Sequence, residues 1–437
     1  MQATVENISN LERRLTVAMP MQPIEEEIGK RLNSLAKTVK MAGFRPGKVP
    51  FKMVEQQYGP QVRQEVLSSK VEETFSDAVH KEGLRIAGYP SIEPKPMADN
   101  AENYEYVATF EVFPEVAIGD LSGVSIERPK LAVSDAEIDK TLEVLRKQRA
   151  VFETVERGAE MGDRVSIEFS SQIDGEQIED TKGQTIPLVL GEEGRLPDFD
   201  KNIVGAKAGE SRSFELNFPA DYHNANLAGK TAKYEVKVAS VSAPKLPEID
   251  ADFAKGLGVE DGDIAKMRAE IKDSLDQEVD KRISAAVKSQ VLGGLVNAID
   301  VELPKSLVTI EVGRLMETAQ QTLQRRGLDA GQINLEPAMF EEQAQRNVKL
   351  RLIMVEVVRA NELQAKPEQI RAMIDTWAKS FEQPEEVVNW YYGDPQRLNE
   401  PAAMATEENV VNWVLERAKV TDKEVAFDDL MAAKEQA

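Results

Sequence analysis

The chain has 437 residues, 41% hydrophobic and 30% charged, with a formal net charge of −22. Its apolar content is enough for several cores and excludes global disorder, and its length suggests about two to four domains. With no cysteine and only His80 and His223 as histidines, disulfide frameworks and thiolate or histidine metal clusters are excluded, and no metal or cofactor is expected.

The N-terminal residues Met1-Gln2-Ala3-Thr4-Val5-Glu6 lack the basic and apolar regions of a signal peptide. No run of about eighteen apolar residues offers a membrane span. The sequence therefore reads as cytosolic and soluble, without membrane contact.

Leu15, Val17 and Met19 alternate as in a strand. Pro23 sits where a helix can start, and Ile24, Ile28, Leu32, Leu35 and Val39 then recur at helical spacing, with Gly43 as the stop. A second helix is expected from about Gln61 to Glu82, with Val62, Val66, Phe75 and Val79 inward and Gly83 ending it. Tyr104, Tyr106, Ala108, Phe110 and Val112 alternate as a half-buried strand. Two helices against a small sheet make one compact α+β module.

From Pro114 to Ala150 the chain reads as a connector, extended to Pro129 and then helical, with Ser134 and Glu137 spaced as a capping box. From Val151 to Ala243 short alternating strands follow, carried by Val165, Ile167 and Phe169, then Phe214, Leu216 and Phe218, then Tyr234, Val236 and Val238. Asp174-Gly175 between them is a hairpin signal. After Lys245-Leu246-Pro247 the pattern is almost wholly helical. Ile271, Leu275, Val279, Ile283, Val287, Val291 and Leu295 fall every four residues, a spacing that drifts around a 3.6-residue helix. Such a helix needs partners on changing sides, or leaves apolar surface open. Pro304, Pro337 and Pro367 divide the remainder into further helices, and Trp377, Trp390 and Trp413 all lie there.

Charge is not evenly spread. Between Ile28 and Val54 lie seven basic residues, Lys30, Arg31, Lys37, Lys40, Arg45, Lys48 and Lys52, and no acid. By itself this reads either as a solvated helix face or as one docking surface on a protein that otherwise repels nucleic acid. Within it, Gly43-Phe44-Arg45-Pro46-Gly47-Lys48-Val49-Pro50 forces a tight loop with one aromatic and two cations at its tip. Arg and Lys there suit phosphate contacts and Phe44 suits base stacking or an apolar notch, whereas the plainer alternative is a rigid turn with exposed charges.

This loop resembles the ribosome-binding signature of the trigger factors, Gly-Phe-Arg-x-Gly-Lys-x-Pro. The resemblance implies docking at the polypeptide tunnel exit, on a ribosomal protein and rRNA, through Gly43, Phe44, Arg45, Gly47 and Lys48 with Lys37 and Lys40 beside them. Pro46 stands where some members carry lysine, so one positive charge fewer is expected. The middle segment resembles the FKBP-like prolyl isomerases in Arg164–Phe169, Asp174-Gly175, Leu196-Pro197-x-Phe199, Val204–Glu210 and Phe218-Pro219-x-x-Tyr222-His223. Carried over by position, the apolar prolyl pocket would comprise Phe169, Ile178, Leu196, Phe199, Tyr222 and Tyr234, whose composition alone equally suits β-core packing. Ser171, Ile178, Arg195 and Asp198 depart from that pattern and imply lowered or substrate-shifted isomerase activity. The C-terminal helices resemble the trigger-factor chaperone domain, including Phe340–Ala344 and Phe427-x-x-Leu430-Met431.

The implied fold class is multidomain α+β. It comprises a ribosome-binding α+β domain (1–113), a connector packing on the C-terminal domain (114–150), an FKBP-like β-rich domain (151–246) and an all-helical chaperone domain with arms (247–437). The implied function is an ATP-independent, ribosome-associated chaperone, in keeping with the lack of a Walker A pattern. It would hold nascent and unfolded polypeptides, assist their folding and export, and isomerise X-Pro bonds. A homodimer off the ribosome belongs to the same expectation. The alternative is a holdase whose isomerase-like domain is weak or silent.

Overall fold

A computed structural model describes residues 2–42, 44, 48–96, 102–173, 176–180, 184–192, 196–219, 229–325 and 334–432, without the side chains of 176–180 and 197. The chain forms two compact units. Among the described residues, one holds those up to Arg128 together with Ala285–Lys423, and the other holds Pro129–Ser284 together with 424–432. These units cut across the four expected segments, dividing both the connector and the helical part.

The chain begins with β1 (Gln2–Asn7) and β2 (Glu12–Pro20), then α1 (Met21–Thr38), α2 (Phe51–Lys81), β3 (Ile86–Pro94) and β4 (Asn103–Val112). The antiparallel sheet has the order β1-β2-β4-β3. Alternation sends Leu15, Val17 and Met19 of β2 and Tyr106, Ala108 and Phe110 of β4 to one face. There they meet Ile24, Ile28 and Leu32 of α1 and Val62, Val66 and Phe75 of α2. Phe75 and Phe110 pack edge to face at 5.4 Å.

Two helix boundaries differ from expectation. The first helix ends at Thr38, where the Val39 amide closes on the Leu35 carbonyl at 2.8 Å, well before Gly43, which lies outside the described residues. The second starts at Phe51, about ten residues earlier than the periodicity suggests, and runs through Pro60. Proline removes the bond to the carbonyl four residues back, but that residue, Gln56, is exposed, so water can take over the bond.

Next come β5 (Ser125–Lys130) and α3 (Asp135–Gln148). The capping box is present: Ser134 Oγ accepts from Ala136 N at 3.3 Å, Ser134 N donates to Glu137 Oε2 at 2.9 Å, and the Ser134 hydroxyl also bonds the Glu137 carboxylate. The β-rich segment follows as β6 (Val151–Thr154), β7 (Arg164–Ile173), β8 (Glu176–Asp180), β9 (Ile186–Val189), α4 (Pro197–Ile203), β10 (Ser211–Asn217) and β11 (Thr231–Lys245). Its sheet runs β10-β11-β7-β8, with β6 on β11 and β9 on β7.

The remainder is α5 (Ala251–Gly256), α6 (Ile264–Ala298), α7 (Lys305–Arg325), α8 (Glu341–Asn361), α9 (Pro367–Ala378), α10 (Pro384–Tyr392), α11 (Asn399–Leu415), β12 (Lys419–Glu424) and α12 (Phe427–Ala432). The long helix α6 changes partners, as its drifting stripe requires. Met267 and Val279 share a core with Val133, Ile138 and Leu142 of the connector and with Phe253 and Leu430. Further along, Gly294 lies where a Cβ would come within 2.6 Å of Val124 Cγ1, so this helix position needs glycine.

Within the first unit, the start of α7 is held by β4 and β3. Glu111 accepts from the amides of Lys305 (3.0 Å) and Ser306 (2.7 Å), and Ser306 Oγ lies 2.6 Å from both the Glu111 carboxylate and the Ala87 carbonyl. A carboxylate on free helix N-terminal amides is the favourable pairing of charge and dipole. Farther along α7, Glu311 is 1% exposed and accepts from Arg314 (2.6 and 3.0 Å), Asn347 (2.8 Å) and Arg351 (3.0 Å), which joins α7 to α8. The Arg314 hydrogen bonds, helped by Asn347 and the nearby Arg351 charge, outweigh burial and lower its pKa from 4.5 to about 2.

A carboxyl lowered in the folded state adds stability that is full above pH 4.5 and is lost as pH falls towards about 2. Arg314 and Arg351 keep 57% and 61% of their side chains exposed, so losing Glu311 strands no buried charge. Glu311→Gln is therefore expected to cost about 2 kcal/mol at neutral pH, below the usual cost of breaking a buried pair. Thermal melts of both proteins between pH 7 and pH 2 (chosen to span the titration) check this. The curves should converge on acidification, and parallel curves would contradict the assignment.

Candidate functional site

Three surfaces bear on the functions expected from the sequence. The first is the segment between α1 and α2. Val49 (6% exposed) and Val54 are buried in the N-terminal core, and Met41 packs against it. These apolar anchors fix the two ends, while Phe44 is 38% exposed and Lys37, Lys40 and Lys48 are exposed. None of those three lysines makes an ion pair among the described residues, whereas nearby Arg31 meets Glu27 at 3.5 Å. Gly43, Arg45 and Gly47, with Pro46, lie outside the described residues.

The second surface is a cavity of about 340 Å³ in the β-rich module. Its lining is Ile167 and Phe169 of β7, Ile186, Pro187 and Leu188 of β9, Leu196 and Phe199 at α4, Leu216 and Phe218 at β10, and Tyr234 of β11. Strand register builds it: Tyr234 stands opposite Phe214 on one side and Ser171 on the other, and Val236 stands opposite Phe169. Phe214 and Tyr234 stack at 5.9 Å and 11°, and Phe199 meets both edge-on at 5.6 and 5.5 Å. Phe169 lies 6.0 Å from Tyr234. These are favourable aromatic arrangements.

Of the expected pocket residues, Phe169, Leu196, Phe199 and Tyr234 thus come together. Ile178 lies in β8 with its side chain outside the described ones, and Tyr222 lies outside the described residues. Ile186, Pro187, Leu188, Leu216 and Phe218 line the same space without having been singled out, and Phe214 supports it. The apolar run Ile186-Pro187-Leu188 and the Phe214-Leu216-Phe218 alternation were their signals. Ser171 is 2% exposed beside Tyr234, and Asp198 points outward to Lys201 at 2.8 Å, clear of the cavity. Arg195 lies outside the described residues.

The third surface is on the helices of the first unit. Ile310 (45% exposed), Met339, Val355, Phe381, Trp390 and Tyr392 keep much of their apolar area in water. Arg397 stacks over Trp390 at 4.3 Å and Arg371 over Tyr392 at 5.8 Å, which solvates these rings without hiding them. Among the described residues no helix is long and apolar enough to cross a membrane, and no group of acidic residues and histidines is placed to hold a metal ion.

Residues 155–239, which carry the cavity, match the model of the FKBP-type peptidyl-prolyl cis-trans isomerases. The protein is thus of the class that carries an FKBP-type isomerase module within a larger α+β chain. Residues 1–145 match the bacterial trigger factor model and 263–416 that of the trigger factor C-terminus. The chain belongs to the trigger factor family. It is 56% identical to the trigger factor of Methylobacillus flagellatus over 99% of both chains, and 50% identical to that of Aromatoleum aromaticum over the same shares. A solved structure described as "Promiscuous Substrate Recognition in Folding and Assembly Activities of the Trigger Factor Chaperone" aligns over 95% of this chain and 100% of its own, at 19% identity and a TM-score of 0.49.

Phe199 is 9% exposed and touches two aromatic neighbours, so Phe199→Ala is expected to destabilise the β-rich module by about 3 kcal/mol. Scanning calorimetry should show one transition moving down while the others stay. An unshifted trace would mean that Phe199 is not the keystone of this cluster.

Proposed function

We propose that the chain is a cytoplasmic, ATP-independent chaperone that docks on the ribosome at the tunnel exit, holds emerging polypeptides on apolar surface, and isomerises X-Pro bonds in the β-rich module. The observation that carries the docking is the set of exposed lysines Lys37, Lys40 and Lys48, unpaired among the described residues, beside exposed Phe44 on a chain of net charge −22. Phosphate oxygens accept hydrogen bonds from such cations, and the released counterions make binding weaken as salt rises. Elsewhere the acidic surface repels RNA, so one face alone is drawn in. Arg45 and the glycines at 43 and 47 join this face by their place in the sequence.

The apolar cavity supports the isomerase reading. Rotation about a peptide bond meets a barrier of ~18–20 kcal/mol because resonance is lost in the twisted state. The planar imide carries charge separation that water stabilises, and an apolar wall does not. A pocket that fits the twisted imide better than the planar one lowers the barrier without nucleophile, base or metal. Phe169, Leu196, Phe199 and Tyr234 supply such walls, with Ile178 and Tyr222 assigned by resemblance. Exposed rings and aliphatic side chains on α7 to α10 suit loose binding of unfolded segments, since dispersed apolar area reads hydrophobicity and not sequence.

Two measurements test this. Arg45→Glu with Lys48→Glu reverses two charges and should abolish co-sedimentation with ribosomes at moderate salt, and unchanged pelleting would sink the docking. In a proline-limited refolding reaction, wild type should accelerate the slow phase and Phe199→Leu, which keeps bulk but loses the ring, should slow it about tenfold relative to wild type. A wild type without acceleration would leave the holdase reading in its place.

A further inference from the structure

Asp200 is a buried carboxylate beside the prolyl cavity that the isomerisation itself does not call for: it is 3% exposed, yet no proton moves in the reaction. It follows Phe199 in α4, and its carboxylate accepts the amide hydrogen of Gly191 at 2.7 Å. Gly191 lies just beyond β9, at φ +87, a conformation glycine tolerates best, and a Cβ there would approach Met161 Cε to 3.1 Å. The preceding residue, Leu190, is fixed in turn. It is 1% exposed, its amide donates to the Asp163 carbonyl at 2.9 Å, and its carbonyl accepts from Gly162 at 2.8 Å.

These contacts define a closed arrangement. β9 supplies Ile186, Pro187 and Leu188 to one wall of the cavity, and α4 supplies Phe199 to another. β9 is held along its length by its antiparallel pairing with β7. Its far end is held by the hydrogen bond from Gly191 to Asp200. A charged acceptor makes that bond roughly twice as strong as a neutral one. The Asp200 end of that bond is buried, while Gly191 lies at the surface.

We infer that Asp200 is a positioning residue for prolyl isomerisation: by clamping Gly191 it sets the spacing between the β9 wall and the Phe199 wall. This rests on the isomerase reading given above. The spacing matters most for the twisted imide, because discrimination between twisted and planar forms depends on a rigid fit, whereas loose apolar binding survives a wider slot.

The test uses the full chain with Asp200→Ala and Asp200→Asn, at a temperature where melting curves show each variant folded. Isomerisation of an Ala-Pro peptide gives kcat and KM, and hydrogen exchange read by mass spectrometry follows residues 186–191. Asp200→Ala should lower kcat/KM about tenfold, mainly in kcat, and speed exchange over 186–191. Asp200→Asn keeps an oxygen acceptor for Gly191 and should retain most of the activity. A folded Ala variant with wild-type kcat, or an Asn variant as impaired as Ala, overturns the inference while the isomerase reading stands. An inactive wild type instead removes that reading, and this inference with it.

Discussion

In the first unit one carboxylate joins segments far apart in the chain. Glu111, at the end of a strand, sits on the free amides that open α7, almost two hundred residues later in the chain. Helix N-terminal amides left bare in an interface would each cost a hydrogen bond, and Glu111 satisfies two of them while Ser306 turns its hydroxyl to the same carboxylate and to Ala87. The fit is close enough to constrain the backbone opposite. Gly88, at φ +84, has no room for a side chain, since a Cβ would lie 2.5 Å from that of Ser306. The interruption of β3–β4 register between Ala87 and Ser91 brings the glycine to that point. As a result the segment between α1 and α2 and the exposed apolar side chains of α7 to α10 belong to one compact unit, held by hydrogen bonds and close packing as well as by chain connectivity.

The β-rich module solves a different problem, which is to keep aromatic rings close together around an empty space. Its solution lies in register. Because side chains alternate along strands, Phe214 and Tyr234 must share a face once β10 and β11 pair, and Phe169 joins them through the pairing of β11 with β7. Ser171, small and buried opposite Tyr234, leaves that ring its room. One of the residues that depart from the isomerase pattern, Asp198, is turned into water in the first turn of α4, where a carboxylate is tolerated and paired with Lys201. A change of sequence at the rim thus need not be a change of the cavity.

What could be read from the sequence follows from which forces fix each element. The capping box of α3 was legible because its two partners are local, three residues apart. The stripe of α1 and the alternation of β4 were legible because burial imposes them. The start of α2 was not, since Pro60 argues for a break and only the exposure of Gln56 makes its lost hydrogen bond harmless. β1 and β12 were invisible for another reason. Gln2–Asn7 and Lys419–Glu424 are polar and mostly exposed, and become strands only through pairing with β2 and β5. β3 carries Pro90 and Pro94, which a sheet edge accepts and a central strand does not. In the cavity, Phe169, Leu196, Phe199 and Tyr234 came from resemblance, while the β9 wall was missed because a short apolar run says nothing about what it faces.

The same reasoning explains how, among the described residues, a protein of net charge −22 leaves Lys37, Lys40 and Lys48 without ion pairs. The acids of α1 are concentrated in its first turns, where Glu25 is engaged by Arg63 at 2.7 Å and Glu27 by Arg31, and helix geometry then carries the chain away from them. From Gly29 to Val54 no acid follows, so Lys37, Lys40 and Lys48 have no near neighbour in sequence to bind. Val49 and Val54 are buried in the core and tie down the end of the segment next to α2. An ion pair at such a surface would be worth little to stability, so forgoing it costs the fold almost nothing. The charge therefore stays exposed at the surface, between apolar anchors that hold the two ends of the segment.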